Sequence, residues 1–274
     1  MPKVLITGAN GFIGSNLCRY FAERGFEVYA LVRRTADLHF LENLPVRFIY
    51  GNLTDPRGFE LPPGMDYVVH AASLTSDLAS EEECERSIYG LTVNLFEALS
   101  RVSPRPRRFV YVSSTLVLGF DGENLSEANP GKSADFLAYT RAKKKTEVFL
   151  RQAAGRDGIP VVIIRPGDIY GPNDRTTSAH LLKGCERGVP IIVGGGRWRL
   201  AYCYVENLCH AIHLACLKPG IEGRAYVVTN SELPTWKMFF SRLQAGVGKK
   251  QRIYVPVWFA MFIAATQELR RKLS

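Results

Sequence analysis

The sequence lacks several features that would direct a protein to a membrane or to the secretory pathway. No stretch of its 274 residues reaches the length of apolar chain that spans a bilayer. It starts directly on an apolar strand pattern at Lys3–Thr7, so we expect no signal peptide. Its six cysteines show no C-x-x-C spacing and are typical of buried, reduced thiols. We therefore expect a cytoplasmic protein.

Clusters of metal ligands are equally scarce. Cys209, His213 and Cys216 recur at helical spacing with His210 beside them, a pattern that is also found in metal sites. A cysteine packs as readily in a core as a small hydrophobe does. The residues around these four are the apolar Ala211, Ile212, Leu214 and Ala215. We interpret the segment as a core helix and expect no metal ion.

What the sequence does contain begins with a glycine-rich turn. The β-branched run Lys3–Thr7 predicts a buried parallel strand, and apolar residues at helical spacing follow Gly14. Between the two elements, Gly8 permits a tight turn, Gly11 lets backbone approach a pyrophosphate, and Gly14 lets the helix pack on the strand. The helix N-terminal N–H groups then face the phosphates. Strand, turn and helix together predict dinucleotide binding.

The second predicted strand lacks the carboxylate that usually contacts the ribose of NAD. This strand, Glu27–Val32, is followed by Arg33 and Arg34. A guanidinium at that place suits a 2′-phosphate, so NADP is the favoured cofactor. If the two arginines form only a solvated strand end, NAD remains the alternative.

Candidate acid–base residues occur in the middle of the chain. Residues 109–115 predict a strand that ends in the hydroxyls of Ser113, Ser114 and Thr115, at the edge where open parallel sheets bind ligands. Tyr139 and Lys143 are four residues apart and share one face of a helix. A lysine cation favours the phenolate and lowers the tyrosine pKa. Such a phenol can give or take the proton of an alcohol or ketone, while a serine holds the substrate oxygen.

These motifs resemble the extended branch of the short-chain dehydrogenase/reductase superfamily. That branch includes nucleotide-sugar epimerases and dehydratases, dihydroflavonol reductases and 3β-hydroxysteroid dehydrogenases. The family opening T-G-x-x-G-F-I-G occurs at 7–14, H-x-A at 70–72 and R-P-x-x-x-Y-G-P at 165–172. The segment G-D-L-x-D occurs at 51–55, with Asn52 in place of the aspartate at the adenine contact. The resemblance covers nearly the whole chain.

The resemblance also implies roles for single residues. It makes Ser114 the catalytic hydroxyl, with Thr115 as the alternative, and Tyr139 and Lys143 the catalytic pair. The implied cofactor contacts are Gly8, Asn10, Gly11, Phe12, Ile13, Gly14, Arg33, Asn52, Leu53, Ala71, Ala72, Tyr139, Lys143, Pro166 and Ile169. The implied substrate contacts are Ser73, Thr115, Asp168 and Arg199.

The order of the predicted elements defines the fold class. Strand patterns near 46–50, 66–70, 108–113 and 160–165 alternate with helical patterns. This alternation predicts an α/β protein with a doubly wound parallel sheet, the Rossmann fold that the resemblance implies. The regular alternation ends after Pro166. We predict a dinucleotide-binding domain of residues 1–165 plus 202–217, and a smaller C-terminal substrate-binding lobe of residues 166–201 plus 218–274.

Departures from the family pattern bear on the substrate. Nucleotide-sugar epimerases use an arginine to grip the diphosphate, and its position here is Leu200, with Arg199 one residue early. Residues 204–211 and 225–236 resemble segments of steroid dehydrogenases. We predict an NAD(P)-dependent oxidoreductase that interconverts a secondary alcohol and a ketone on a hydrophobic or ring substrate. A nucleotide-sugar epimerase or dehydratase with internal hydride return is the first alternative, and a non-catalytic nucleotide-binding sensor is the second.

The net charge of +9 and the apolar C-terminal region bear on partners. Because no nucleic-acid-binding motif is present, we interpret the charge as steering of a phosphate-bearing cofactor and expect no nucleic acid partner. Residues 257–265 are apolar and are followed by Arg270, Arg271 and Lys272. This segment resembles a helix on a membrane surface, but we favour a helix covered by a further segment. The family resemblance implies a homodimer through the helices that carry Glu97 and Tyr139.

Overall fold

A computed structural model describes residues 1–76, 79–119, 125–128, 135–175, 177–186, 191–248 and 253–273. The chain forms two compact units. Unit 1 comprises Met1–Asn173 and Cys203–Thr229, and unit 2 comprises Asp174–Tyr202 and Asn230–Ser274. Residues 166–173 and 218–229 belong to unit 1, whereas the sequence-based division assigned them to the smaller lobe. The physical reason is that residues 225–228 add a strand to the main sheet.

The strands within the described ranges are β1 (Lys3–Thr7), β2 (Glu27–Val32), β3 (Val46–Tyr50), β4 (Tyr67–His70), β5 (Arg108–Val112), β6 (Val161–Pro166), β7 (Asp168–Tyr170), β8 (Ile191–Val193), β9 (Tyr202–Tyr204), β10 (Ala225–Val228) and β11 (Ile253–Val255). Seven of them form the sheet of unit 1 in the order β10-β6-β5-β4-β1-β2-β3. Every neighbouring pair in this sheet is parallel. The predicted doubly wound parallel sheet is therefore confirmed.

The helices in the same ranges are α1 (Phe12–Ala22), α2 (Glu81–Cys84), α3 (Leu91–Arg101), α4 (Ala138–Asp157), α5 (Thr177–Glu186), α6 (Val205–Leu217), α7 (Trp236–Gly246) and α8 (Val257–Leu273). A π-helical turn, Glu85–Gly90, joins α2 to α3, and a 3-10 turn, Thr115–Leu118, follows β5. None of the described helices is both long enough and apolar enough to cross a membrane.

Alternation along β1 explains why helices cover both faces of the sheet. Val4 and Ile6 point to a core shared with α1 and α6, whereas Leu5 points to a core shared with α3 and α4. A central strand that is apolar on both faces is typical of a parallel sheet, and β1 has that pattern. Helices α1 and α4 therefore lie on opposite faces of the sheet.

The cysteine-containing segment forms helix α6 and packs in the first of these cores. Cys209 and Cys216 are buried, and burial raises the pKa of both thiols. His213 contacts Phe21 and Phe26 edge to face, with ring centroids 5.5 Å apart in both cases. These contacts agree with the interpretation of the segment as a core helix.

Unit 2 has a small core of its own. Strands β8 and β11 pair in parallel, with Ile192 opposite Tyr254. Cys185, Ile192 and Phe240 are buried together, and the Trp236 ring stacks on Phe240 at 5.3 Å. Because few side chains are buried here, the core that stabilises unit 2 is much smaller than either core of unit 1.

Candidate active site

The carboxyl ends of the parallel strands bring the predicted site residues of unit 1 to one edge of the sheet. Gly8 follows β1, Arg33 follows β2, Ala71 follows β4, Ser113 follows β5, and Pro166 ends β6. The strand order reverses between β1 and β4, because the chain adds β2 and β3 on one side and the later strands on the other. Ligands of open α/β sheets bind outside the carboxyl ends at such a switch point.

The glycine turn is closed by its own backbone. Gly8 has a φ of +64°, and the Gly11 N–H donates to the Gly8 carbonyl at 3.0 Å. A Cβ on Gly14 would lie 2.7 Å from the Cα of Ala9, so α1 packs on the turn with backbone contact. Gly11 caps α1 without a side chain, and the first turn of α1 carries no acidic residue. A helix N-terminus that is bare of side chains and of negative charge fits a pyrophosphate.

A buried chain of hydrogen bonds lies next to this turn and involves Thr7, the residue before Gly8. The His70 ring lies between Thr7 and Thr92, with Nδ1 2.7 Å from the Thr7 Oγ1 and Nε2 2.9 Å from the Thr92 Oγ1. Thr92 donates its own proton to the Ile88 carbonyl at 2.7 Å, so it accepts from Nε2–H, and Thr7 donates to Nδ1. Thr7 in turn accepts from the N–H of Ala72 at 3.2 Å. The chain ties β1 to the loop that follows β4.

The ring of His70 is therefore neutral and fixed as one tautomer. Its complete burial, and secondarily the charge of Lys143, lower its pKa to about 3. The sequence pointed to this segment as a family motif but gave no role to Thr7 or Thr92. Their contribution depends on a strand pairing, Thr7 opposite His70, that the sequence does not show directly.

The outer predicted contacts are more exposed. Arg33 is exposed at the end of β2. The side-chain oxygen of Asn52 accepts from the N–H of Thr54 at 3.1 Å and from its hydroxyl at 2.9 Å, so only the amide NH₂ of Asn52 is left for other contacts. Leu53 is buried, and its carbonyl accepts from Asn94 at 2.8 Å. Asn10 lies in the glycine turn, and Phe12 and Ile13 begin α1 half-buried against its core.

Tyr139 and Lys143 lie on the first two turns of α4, as predicted. The Lys143 Nζ is 5.7 Å from the centre of the Tyr139 ring and donates to the Val112 carbonyl at 2.9 Å. Lys143 is only 2 % exposed. Burial lowers its pKa to about 7, and the nearby carboxylate of Glu147 opposes that shift. A lysine that changes protonation near neutral pH is a frequent mark of a functional site.

Glu147 is the centre of a buried ion-pair network one helical turn beyond Lys143. It accepts from Ser113 Oγ at 2.7 Å and from the Arg165 guanidinium at 3.0 and 2.6 Å. Arg151 adds a longer contact of 3.3 Å at the surface. The network ties α4 to the ends of β5 and β6, and so fixes where Tyr139 and Lys143 lie. The sequence-based list missed Glu147, although its spacing of four residues from Lys143 was a usable signal.

The remaining predicted residues lie in the turn after β5, in the loop after β4, on β7 and in unit 2. The Ser114 Oγ accepts from the N–H of Leu116 at 3.2 Å, which orients the hydroxyl at the start of the 3-10 turn that Thr115 opens. The Ser73 Oγ donates to the Leu74 carbonyl at 3.2 Å. Asp168 is exposed on β7, and Ile169 packs on the α1 core. Arg199 belongs to unit 2, where it forms an antiparallel bridge with Thr235.

Known proteins share both the sequence pattern and the fold. The 4-hydroxy-2-methyl-3-oxo-4-farnesyl-3,4-dihydroquinoline-1-oxide ketoreductase of Stigmatella aurantiaca is 30% identical over 256 residues, covering 92% of this chain and 75% of that protein. The 3 beta-hydroxysteroid dehydrogenase/Delta 5→4-isomerase of Mycobacterium tuberculosis (strain CDC 1551 / Oshkosh) is 32% identical over 248 residues, covering 85% of this chain and 66% of that protein. The chain thus spans between 66% and 75% of the length of these two relatives.

A solved structure extends the comparison to the fold. The UDP-glucose 4-epimerase of Thermus thermophilus, solved in complex with NAD, matches with a TM-score of 0.77 and 24% identity, covering 93% of this chain and 86% of that one. A model of the NAD dependent epimerase/dehydratase family matches residues 4–229. This range includes the glycine turn, the Tyr139–Lys143 pair and the Glu147 network. The chain therefore belongs to the NAD dependent epimerase/dehydratase family.

Proposed function

We propose that this protein is an NADP-dependent oxidoreductase that interconverts a secondary alcohol and a ketone on a hydrophobic ring substrate. The observation that carries the proposal is the buried Lys143, 5.7 Å from the ring of Tyr139, at the strand edge that also holds the glycine turn. A buried cation beside a phenol is suited to proton transfer. A protein that only binds a nucleotide does not need a proton donor of this kind.

Each residue of the site has a separate task in this mechanism. The Tyr139 hydroxyl gives a proton to the ketone oxygen during reduction and takes one from the alcohol during oxidation. The Lys143 ammonium, held by the Val112 carbonyl, favours the phenolate. Ser114 donates to the substrate oxygen and orients it. The bound cofactor supplies or accepts the hydride, and the protein supplies orientation and electrostatics.

Glu147 keeps Lys143 usable in this role. Without a nearby negative charge, burial would drive the ammonium toward its neutral form. The carboxylate of Glu147 raises the pKa of Lys143 against that effect. Because Ser113 and Arg165 hold the carboxylate in place, we assign Glu147 as a positioning residue for the Tyr139–Lys143 pair.

The cofactor preference rests on Arg33. It is exposed at the tip of β2, where a guanidinium suits a 2′-phosphate. We expect Arg33→Ser to weaken NADPH binding roughly tenfold or more while NADH affinity changes little, in line with the loss of one charge-assisted contact. Arg34→Ser is the matched control, and we expect it to change both affinities only slightly. If Arg33→Ser weakens NADH and NADPH equally, the NADP assignment is wrong.

One departure from the pattern of nucleotide-sugar epimerases and two relatives support a hydrophobic ring substrate. Leu200 stands where nucleotide-sugar epimerases have a diphosphate-gripping arginine, and it is only 8% exposed. An apolar, buried side chain cannot pair with a phosphate. The relatives reported above are named for the reduction of a quinoline ketone and the oxidation of a steroid alcohol. We therefore place a hydrophobic ring substrate ahead of a nucleotide sugar.

The first experiment is to denature the purified protein, identify any released nicotinamide nucleotide, and titrate the native protein with NADPH and NADH. We expect a site that exchanges NADPH freely and that oxidises NADPH in the presence of a steroid or quinoline ketone. Tightly held NAD that does not exchange, together with turnover of UDP-glucose, would favour the epimerase alternative. Cofactor binding without turnover of any substrate class would favour the sensor.

We also infer that the protein is a cytoplasmic homodimer through α3 and α4. Val148 on α4 is an exposed apolar side chain, which is consistent with a helix that meets a partner. Sedimentation equilibrium of the wild type and of Val148→Asp tests this inference. A wild-type monomer, or a dimer that Val148→Asp leaves intact, would contradict it.

A further inference from the structure

The net charge of the protein is confined to unit 2. That unit has 74 residues, with 13 lysines and arginines and 4 aspartates and glutamates, which gives +9. The other 22 basic and 22 acidic residues, all in unit 1, balance to zero. Steering of a cofactor toward unit 1 does not require this distribution. The charge of unit 2 therefore points to an anionic partner of its own.

Exposed apolar side chains are concentrated in the same unit. Of the 21 large apolar side chains that are exposed among the described residues, 14 belong to unit 2. The three most exposed of these 14 belong to α8: Trp258 at 70%, Met261 at 66% and Phe262 at 63%. A cluster of this kind on a folded protein marks an interaction surface.

The apolar and basic side chains lie on adjoining segments of unit 2, and their exposed residues are together called the α8 face. A Cβ on Gly194 would touch the Trp198 ring and lie 2.9 Å from Val257, so the turn after β8 adjoins the start of α8. A Cβ on Gly196 would lie 3.0 Å from the backbone N of Lys237, so the same turn adjoins the start of α7. The exposed residues of the α8 face are Arg197, Trp198, Arg199, Lys237, Ile253, Tyr254, Val257, Trp258, Phe259, Met261, Phe262 and Ile263.

We propose that the α8 face docks on an anionic lipid surface. Tryptophan and phenylalanine on an apolar helix, next to lysine and arginine, are the combination that binds at the boundary between headgroups and acyl chains. Arg270, Arg271 and Lys272 extend the basic sequence at the end of α8. A helix of 17 residues is about 25 Å long, which is too short to span the bilayer but sufficient to lie in its surface.

Charge argues against a second copy of this chain as the occupant. It would bring together two units that each carry a net charge of +9, and like charges at an interface repel. Lipid headgroups of negative charge have the complementary sign and also accept the apolar side chains. The proposal is independent of the reaction that unit 1 carries out.

The test uses the full chain with phosphatidylcholine vesicles, prepared with and without phosphatidylserine, in a sedimentation assay. We expect binding to the phosphatidylserine vesicles, much weaker binding to phosphatidylcholine alone, and release at high salt. Brominated acyl chains are expected to quench tryptophan fluorescence of the bound protein. No binding to phosphatidylserine vesicles, or binding without quenching, would overturn the proposal.

Paired substitutions separate the apolar contribution to vesicle binding from the electrostatic contribution. Trp258→Ser/Phe262→Ser is expected to weaken vesicle binding at least tenfold. Arg197→Gln/Lys237→Gln is expected to weaken it about 25-fold, since each basic residue near the surface contributes roughly fivefold. Leu214→Ser/Leu217→Ser, which alters exposed apolar residues of unit 1, is the matched control and is expected to bind like the wild type.

Two further outcomes would contradict the lipid assignment. If Trp258→Ser/Phe262→Ser converts an oligomer to a monomer and vesicle binding is absent, the α8 face is an interface between copies. If single-stranded RNA competes for the protein while vesicles do not bind, the basic and aromatic residues form a nucleic-acid surface instead. All substituted side chains are exposed, so thermal unfolding followed by circular dichroism can check that each variant is folded.

Discussion

The two units of this protein use charge in opposite ways. In unit 1, acidic and basic residues are equal in number; the Glu147–Arg165 pair joins α4 to β6, and the Arg108–Glu222 pair joins the start of β5 to the loop after α6. In unit 2, positive charge is in large excess, and Arg197, Arg199 and Lys237 are exposed, as are the aromatic side chains of Trp198 and Trp258. The comparison teaches that charge orders the site in unit 1, whereas in unit 2 it is available to a partner. Substitutions should therefore act on chemistry and stability in unit 1, and on binding in unit 2.

The contrast is tested most strongly by Tyr139→Phe. If the chemistry lies in unit 1, loss of this hydroxyl should lower turnover by about 10²- to 10⁴-fold, because the proton donor is gone. Cofactor affinity and vesicle binding should stay close to those of the wild type. Tyr89→Phe is the control and should keep full activity. Steady-state kinetics and cofactor titration measure these effects, and a fully active Tyr139→Phe would remove unit 1 as the site of proton transfer.

Two variants, Glu147→Gln and Lys237→Gln, compare the loss of a buried charge in unit 1 with the loss of an exposed charge in unit 2. Glu147→Gln leaves the Arg165 guanidinium buried without its counterion, so the free energy of unfolding should fall by about 3–5 kcal/mol. Lys237→Gln, on the surface of unit 2, should change it by no more than about 0.5 kcal/mol. Urea unfolding at neutral pH measures both.

The same pair of variants also separates positioning from stability. In folded Glu147→Gln, the pKa of Lys143 should fall further below 7, so activity that needs the ammonium should be lost at lower pH than in the wild type. Lys237→Gln should leave the pH profile unchanged. If the pH profile of activity is unshifted in Glu147→Gln, Glu147 has only a structural role.

Glycine substitutions sharpen the comparison within unit 1. Gly14→Ala places a Cβ 2.7 Å from the backbone of Ala9, so we expect a loss of about 3 kcal/mol in the free energy of unfolding and weak cofactor binding. Gly155→Ala on α4 meets nothing within 4 Å and should stabilise the helix by about 0.5–1 kcal/mol. Chemical unfolding and NADPH titration are the measurements. Equal effects at the two positions would show that the turn is not closely packed.

A separate expectation is a dependence of stability on pH that originates in His70. Its folded pKa of about 3 lies below the ordinary 6.5, so below pH 6.5 the unfolded chain binds a proton that the folded chain does not. The free energy of unfolding should therefore fall with pH from about 6.5 toward 3, by up to ~1.4 kcal/mol per pH unit. Above pH 6.5 this group contributes no slope. His70→Asn should lose this part of the slope in urea unfolding at several pH values, and identical slopes would contradict the assignment.

Much of unit 1 could be predicted from the sequence because its signals are local. The strand patterns at 46–50, 66–70, 108–113 and 160–165 were confirmed to within one residue at each end. Tyr139 and Lys143 share a helix because they are four residues apart. Glu147, Ser113 and Arg165 were not grouped, because their contacts join residues 34 and 18 positions apart and depend on the order of the strands.

Unit 2 was harder to predict for a different physical reason. It is assembled from two separate segments of chain, so neither its boundaries nor its charge appears in any local pattern. From the sequence alone, the surplus of positive charge was assigned to steering of a phosphate-bearing cofactor, and a membrane contact was not favoured. Only the division into units shows that the whole net charge belongs to the unit that contains Trp198 and Trp258.

The ion pairs of Glu147 have a consequence for how the enzyme folds. The carboxylate lies on α4 and contacts groups at the ends of β5 and β6, so its full set of contacts can form only when these three elements have packed together. Closing the intervening loops costs entropy before these contacts can stabilise the chain. The acid–base pair therefore acquires its final position only when β5, α4 and β6 have packed together, and recovery of activity during refolding reports that step.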